Sequence, residues 1–405
     1  MIDTGDTAWL LMATALVLFM TPGLAFFYGG MVRSKHVLGM LMQNIFAMGL
    51  LGVLWVVVGY SLAFGGTGRF LGNLDNIGLR DVGAGPLSEA VLIPAILFAA
   101  FQMTFAIITP ALITGATADR LKFSAYGLFI GLWLLVVYAP VAKWVFGGGW
   151  LAHLGALDFA GGAVVHINAG AAALAVVLVI GKRKGYPSTP MPPHNLPLTM
   201  LGTGILWFGW AGFNAGSALA ANGVAAQALL NTFVAASAAM LGWLLVERVR
   251  DGHATTLGGA SGAVAGLVAI TPCAGFVNSM SAVIIGFAAG ALCFAALFVK
   301  KRFGFDDALD VIAVHLVGGL FGSIVLGLFA TAGVNALVVD EGLFFGGGGS
   351  LLGYQVVAAT ATFAYSFALS FLLAKGIDAT IGLRVPESDE DVGLDLSQHA
   401  ETAYT

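Results

Sequence analysis

Apolar stretches long enough to cross a bilayer occur eleven times in this chain, and that leaves few folds open to it. They run at about 8–31, 37–64, 91–114, 123–145, 159–181, 196–218, 227–246, 255–273, 279–299, 309–330 and 351–375. A helix needs about 20 apolar residues to span the hydrocarbon core. Within lipid, only helices and closed barrels pair every backbone amide and carbonyl. The lengths are those of helices, so the expected fold is an all-α polytopic membrane protein with eleven transmembrane helices. Composition agrees: 59% of the residues are hydrophobic and 9% charged, with a mean hydropathy of +0.94, far from soluble averages.

An odd number of spans puts the termini on opposite sides. Of the 17 lysines and arginines, 14 follow odd-numbered spans, and only Arg69, Arg80 and Lys143 fall on the other side. The positive-inside rule then places the N-terminus outside and the C-terminus in the cytoplasm, the arrangement expected in a plasma (inner) membrane. The opening MIDTGDTAW carries Asp3 and Asp6 and no cation, unlike the charged start of a signal peptide. A net charge of −4, with cations confined to span ends, offers no nucleic-acid surface. Cys273 and Cys293 have no metal-ligand spacing and read as small packing residues. No metal or cofactor is expected, and there is no nucleophile motif of an enzyme.

Ionisable groups inside such spans are costly and mark function by default. The fifth span opens with DFAGGAVVHINAG, Asp158 to Gly170, and the tenth with DVIAVHLVGG, Asp310 to Gly319. Each histidine, His166 and His315, follows a valine and precedes a glycine at the fourth position on (Gly170, Gly319). The third and eighth spans share a tripeptide, Ile108-Thr109-Pro110 and Ile270-Thr271-Pro272. Spans one to five and six to ten therefore read as two inverted halves, about 8–181 and 196–330, with the eleventh span outside the repeat. Because five is odd, the two histidine helices start from opposite faces and their imidazoles can meet near mid-membrane. From the residues alone, a structural contact and a pore pair are both open. Glycines beside the histidines permit close helix approach.

Several stretches together resemble the ammonium transporters of the Amt/Mep/Rh family: PGLAFFYGG from Pro22, Gln102 to Pro110, Asp158 to Gly170, GWAGFNAGS from Gly209 to Ser217, Ser261 to Pro272, and Asp310 to His315. The resemblance covers nearly the whole chain. It implies an eleven-helix fold, a homotrimer with one pore per subunit, and His166 and His315 as twin pore histidines joined ring to ring. It also makes Phe105 and Phe213 the paired phenyl rings that close the outer mouth above the histidines, and places Phe27 and Tyr28 near the inner pore. Asp158 corresponds to an aspartate that acts as a structural anchor with an indirect electrostatic role. Asp310 is expected either to do the equivalent work for the tenth span or simply to favour its helix N-terminus. Ser217, one turn beyond Phe213, can accept a hydrogen bond from ammonium or bond back to its own helix.

One position departs from the pattern. Twelve residues before the aspartate, where the family has a tryptophan in the outer ammonium cage, this chain has Phe146. A phenyl ring is the weaker cation-π partner and lacks an N–H.

The expected division is a transport domain at 1–376 and a cytoplasmic regulatory region at 377–405. That region carries a break at Pro386 and a short acidic helix near Ser388 to Asp391. By resemblance it packs under the trimer and answers to a PII-class signalling protein; by composition it is equally a disordered charged end. The function implied is uptake of ammonium with deprotonation at the outer mouth, ammonia passage and net charge transfer. The alternatives are a passive ammonia gas channel, an ammonium receptor with little flux, and, least supported, a metal-ion transporter.

Overall fold

The computed structural model describes residues 1–404 and is helical, with no strand among the described residues. Among the described residues, ten helices are long and apolar enough to cross a membrane: Thr4–Met31, Ser34–Phe64, Ala95–Thr117, Phe123–Leu154, Gly162–Ile180, Leu196–Ala215, Gly223–Asp251, Ser279–Phe303, Ile312–Phe329 and Ser350–Thr380. A shorter apolar helix, Thr256–Ile270, takes the eighth place in the order. It breaks where the Ile-Thr-Pro tripeptide begins, since Pro272 has no amide to continue the ladder. The seventh and eleventh helices outrun their apolar stretches by a turn or more, ending at Asp251 and Thr380.

The two halves run in opposite senses. The end of the fifth span touches Arg120, whose Nε donates to the Gly181 carbonyl at 2.9 Å, and the segment before the tenth span touches the same guanidinium through the Asp306 carbonyl at 2.6 Å. The fifth span therefore ends on the face where the tenth begins. Residues 149 apart correspond across the halves: His166 with His315, and Gly161 with Asp310, both at positive φ (121° and 63°). Gly170 and Gly319 stand at the same offset. At each glycine the facing chain comes too near for a side chain: a Cβ on Gly170 would sit 2.5 Å from the Leu316 nitrogen, and one on Gly319 2.9 Å from the His166 Cβ and 3.0 Å from the Ile167 nitrogen. The fifth and tenth spans thus cross with each small residue seated on the other helix.

The face at which the chain ends carries a buried charge network. Arg183 grips Asp306 with Nε and Nη2, each at 2.9 Å, and stands 3.6 Å from Asp119, which Arg33 also reaches at 2.9 Å. The tail folds back on this face as two short helices, Glu387–Val392 and Leu394–His399, where the sequence pointed to a single short one. Glu390, 2% exposed, pairs with Arg384, and Asp395 accepts the Gly39 amide at 2.8 Å. Lys35 donates to the Asp391 carbonyl at 2.6 Å, and His194 meets the Tyr404 hydroxyl at 2.8 Å.

Candidate functional site

Both histidines stand on short stretches of π-helix, Gly162–Ile167 and Ile312–Leu316, and Phe213 stands on a third, Ala211–Ala215. A π turn inserts an extra residue into the helical ladder and re-aims the side chains around it. Here three such turns face one another at the centre of the bundle.

The Nδ1 atoms of His166 and His315 lie 3.2 Å apart, with ring centroids at 5.3 Å and planes 25° apart. A hydrogen bond between two Nδ1 atoms needs one ring to donate and the other to accept. With both rings neutral, one Nε2 then carries a proton and the other a lone pair. The Nε2 of His166 is buried without a protein partner. It borders a cavity walled by Phe27, Ile108, Val165, Leu206, Trp210, Phe213, Val264 and both histidines, with about 10 Å³ of free room. That is the scale of one water-sized particle, and apart from the two histidines the wall is apolar.

Phe105 and Phe213 stack at 4.3 Å with a 36° tilt, both 1% exposed, and Phe213 lies 6.2 Å from the His166 ring. Phe213 lines the cavity, and Phe105 is stacked behind it. Ser217 donates its hydroxyl to the Phe213 carbonyl at 2.8 Å, the self-bonded of its two expected arrangements, which leaves its lone pairs free to accept. Phe146 is half-buried at the break within the fourth helix, between Val145 and Trp150; the ring neighbours of Phe105 are Phe101 and Phe213, and Phe146 is not brought to them.

Phe27 also lines the cavity because the backbone of its helix is clasped by the sixth: a Cβ on Gly202 would sit 2.6 Å from the Phe27 Cα. Tyr28 points elsewhere, donating to the Leu112 carbonyl at 3.1 Å and packing over Gly115. Beyond lies a wider pocket of about 390 Å³ on the tail face, bordered by Arg33, Arg183, Lys300, Lys301 and Asp310.

Asp158 lies outside the cavity. Its carboxylate accepts the amides of Gly161, Gly162, Ala163 and Val164 at 2.6–3.2 Å, so it caps the start of the histidine helix. The corresponding work on the tenth span belongs to Asp307, and the expectation for Asp310 is corrected: Asp307 accepts the amides of Val311 and Ile312 at 3.1 and 2.7 Å, while Asp310 pairs with Lys300. Asp307 stands eight residues before His315, as Asp158 does before His166. That equal spacing was the available signal. Asp310, at positive φ, takes the place of Gly161 instead.

Trp210 was passed over within the GWAGFNAGS stretch. Its indole lies nearly parallel to the His166 ring, at 5.6 Å and 21°, and forms a wall of the cavity. No group of three or more His, Cys, Asp or Glu with metal-site geometry occurs among the described residues.

The Ammonium Transporter Family model matches residues 8–404. An ammonium transporter of Mycobacterium tuberculosis is 53% identical, over 99% of this chain and 90% of that protein. One from Bacillus subtilis is 49% identical, over 99% of this chain and 98% of its own length. Among solved structures, Candida albicans Mep2 superposes with a TM-score of 0.90 at 38% identity, covering 100% of this chain and 91% of that one. A protein described as a Sensor Amt Protein superposes with a TM-score of 0.90 at 30% identity, covering 98% of each chain.

Proposed function

This chain belongs to the ammonium transporter family, as a multi-pass membrane protein and not an enzyme, and from that premise we propose that it brings ammonium into the cell as ammonia and a separately moving proton. The observation that carries this reading is the imidazole pair, Nδ1 to Nδ1 at 3.2 Å, bordering an apolar passage with about 10 Å³ of free room. A bare monovalent cation in that passage would lose its hydration without gaining charged or carbonyl ligands, a cost neutral ammonia avoids. Potassium cannot shed its charge and is refused.

Ammonium is recruited at the outer mouth near Phe105 and Ser217, with Phe146 as a separate ring, where ring faces attract a cation and a hydroxyl can accept a hydrogen bond from it. Deprotonated there, ammonia passes Phe105 and Phe213 and meets one Nε2 that donates and one that accepts. A proton arriving on one imidazole and leaving from the other crosses the shared Nδ1 bond and exchanges the tautomers, so the pair can serve as the proton's route. His166, His315, Phe105 and Phe213 form the pore, Phe27 lines its inner part, and Asp158 and Asp307 anchor it. Tyr28 is assigned no transport role, since it packs between helices.

We assign residues 1–376 to transport and 377–405 to regulation, with the N-terminus outside, the tail in the cytoplasm of a cell whose plasma (inner) membrane holds the protein, and a homotrimer as the assembly. A PII-class signalling protein is the proposed regulator, meeting the face on which the tail is folded.

The test is the current evoked by an ammonium pulse in proteoliposomes, with methylammonium and potassium as comparisons. A saturable current for ammonium and none for potassium, lost in His166→Ala and His315→Ala, is expected. Internal alkalinisation without current would replace this reading by a gas channel. Binding without flux would replace it by a receptor, the reading that the likeness to a Sensor Amt Protein favours.

A further inference from the structure

Ile108 of the first copy of the tripeptide shared by the third and eighth spans lines the cavity, and the second copy reaches the cavity wall through Thr271. The Thr271 hydroxyl donates to the Leu267 carbonyl at 2.7 Å and accepts the indole N–H of Trp210 at 2.9 Å. Its one proton is committed to its own helix, so the side it turns to Trp210 can only accept. The Pro272 carbonyl accepts the amide of Phe159, the residue after Asp158, at 3.1 Å, and its ring lies against Gly162. The first copy has no such indole: Thr109 donates to the Phe105 carbonyl at 2.6 Å.

We propose that Thr271 is a positioning residue for His166, acting through Trp210. The hydroxyl draws the indole N–H away from the passage and keeps the ring flat against the imidazole, so that the pore sees only an apolar wall there. The inference rests on His166 being a pore group. Without the Thr271 oxygen, the indole N–H is a buried donor without a partner, a state that costs enough to make it turn to the next acceptor. The next acceptors are a lone pair on the imidazole pair, whose His166 Nε2 has no protein partner, and any water drawn in beside it. Either one competes with ammonia for the imidazole.

The experiment compares ammonium-evoked currents of the full-length protein in proteoliposomes across pH. Thr271→Val, nearly isosteric, is expected to lower the maximal current about tenfold and to shift its pH profile, while Thr271→Ser restores both. In a Trp210→Phe background, which has no N–H to hold, Thr271→Val is expected to change nothing further. That comparison decides the matter even if Thr271→Val alone does not fold. Wild-type behaviour in Thr271→Val, a serine variant as impaired as the valine, or a further loss on adding Thr271→Val to Trp210→Phe overturns the proposal and leaves the pore assignment standing. A wild-type protein with no ammonium-dependent flux overturns both.

Discussion

Asp158 and Asp307 hold the starts of the two histidine helices by the same means, each carboxylate accepting backbone amides at the opening of a π turn. The first turn of a helix has amides with no partner of its own, and leaving one unpaired in a buried setting costs about 1–3 kcal/mol. Asp158→Ala and Asp307→Ala are both expected to lower the thermal unfolding temperature in detergent. Asp310→Ala is expected to lower it less, and an effect equal to that of Asp307→Ala would sink this division of labour.

Phe146→Trp is expected to restore the stronger aromatic cage of the family pattern. A cation-π gain at a partly exposed site corresponds to a two- to fivefold fall, roughly, in the ammonium concentration that gives half-maximal current. An unchanged concentration dependence would show that the half-buried ring takes no part in recruiting the cation.

Acid stability should report on the network beneath the tail. Burial pushes the Asp306 carboxyl up, but the hydrogen bond from Arg183 and the charges of Arg120 and Arg183 outweigh it and hold the group below its ordinary range. A carboxyl depressed in the folded state contributes stability that is present above its unfolded value, near 4, and lost as pH falls through the folded one. Stability is therefore expected to decline below about pH 4. Asp306→Asn should be less stable at neutral pH and show a flatter decline; a slope identical to wild type would exclude Asp306 as its source.

The tail should be released by one contact and hardly affected by another. Arg384 pairs with Glu390, which is 1% exposed on its side chain, whereas Lys184 and Asp391 pair in the open at 48% and 58%. Removing the partner of a buried charge is costly, and exposed pairs contribute little. Limited proteolysis is expected to cut the end of Arg384→Ala much faster than that of wild type, and of Asp391→Ala at nearly the wild-type rate.

Much of this was readable beforehand because lipid restricts the choices so strongly. Eleven apolar runs became eleven helices, and the pairing of His166 with His315 followed from the parity of the repeat. The three π turns were not readable, since an extra residue in a helical ladder leaves no mark in composition or periodicity. Trp210 was missed for that reason: it immediately precedes the Ala211–Ala215 turn that re-aims its neighbours. Asp310 drew attention as the acid nearer the histidine, while the spacing that identifies Asp307 went unused. The tail's charge fitted disorder and docking equally. What distinguishes them is the burial of Glu390 and Asp395 against residues distant in sequence, Lys184 and Gly39, which only the fold supplies.

The glycine crossing of the fifth and tenth spans bears on how substrate gets through. A carrier that rocks one half against the other must part the halves around its binding site on each cycle. Here Gly170 rests on the Leu316 backbone and Gly319 on the His166 Cβ and the Ile167 nitrogen, so the contact that would have to slide involves backbone and Cβ atoms, with no flexible side-chain end to yield. The separation of the two histidine helices is thereby set by the absence of two Cβ atoms, while the cavity beside the imidazoles is shaped by side chains. On the proposed reading, passage there would proceed by small adjustments of rings around a standing constriction, with selectivity kept throughout the turnover instead of being remade at each stroke.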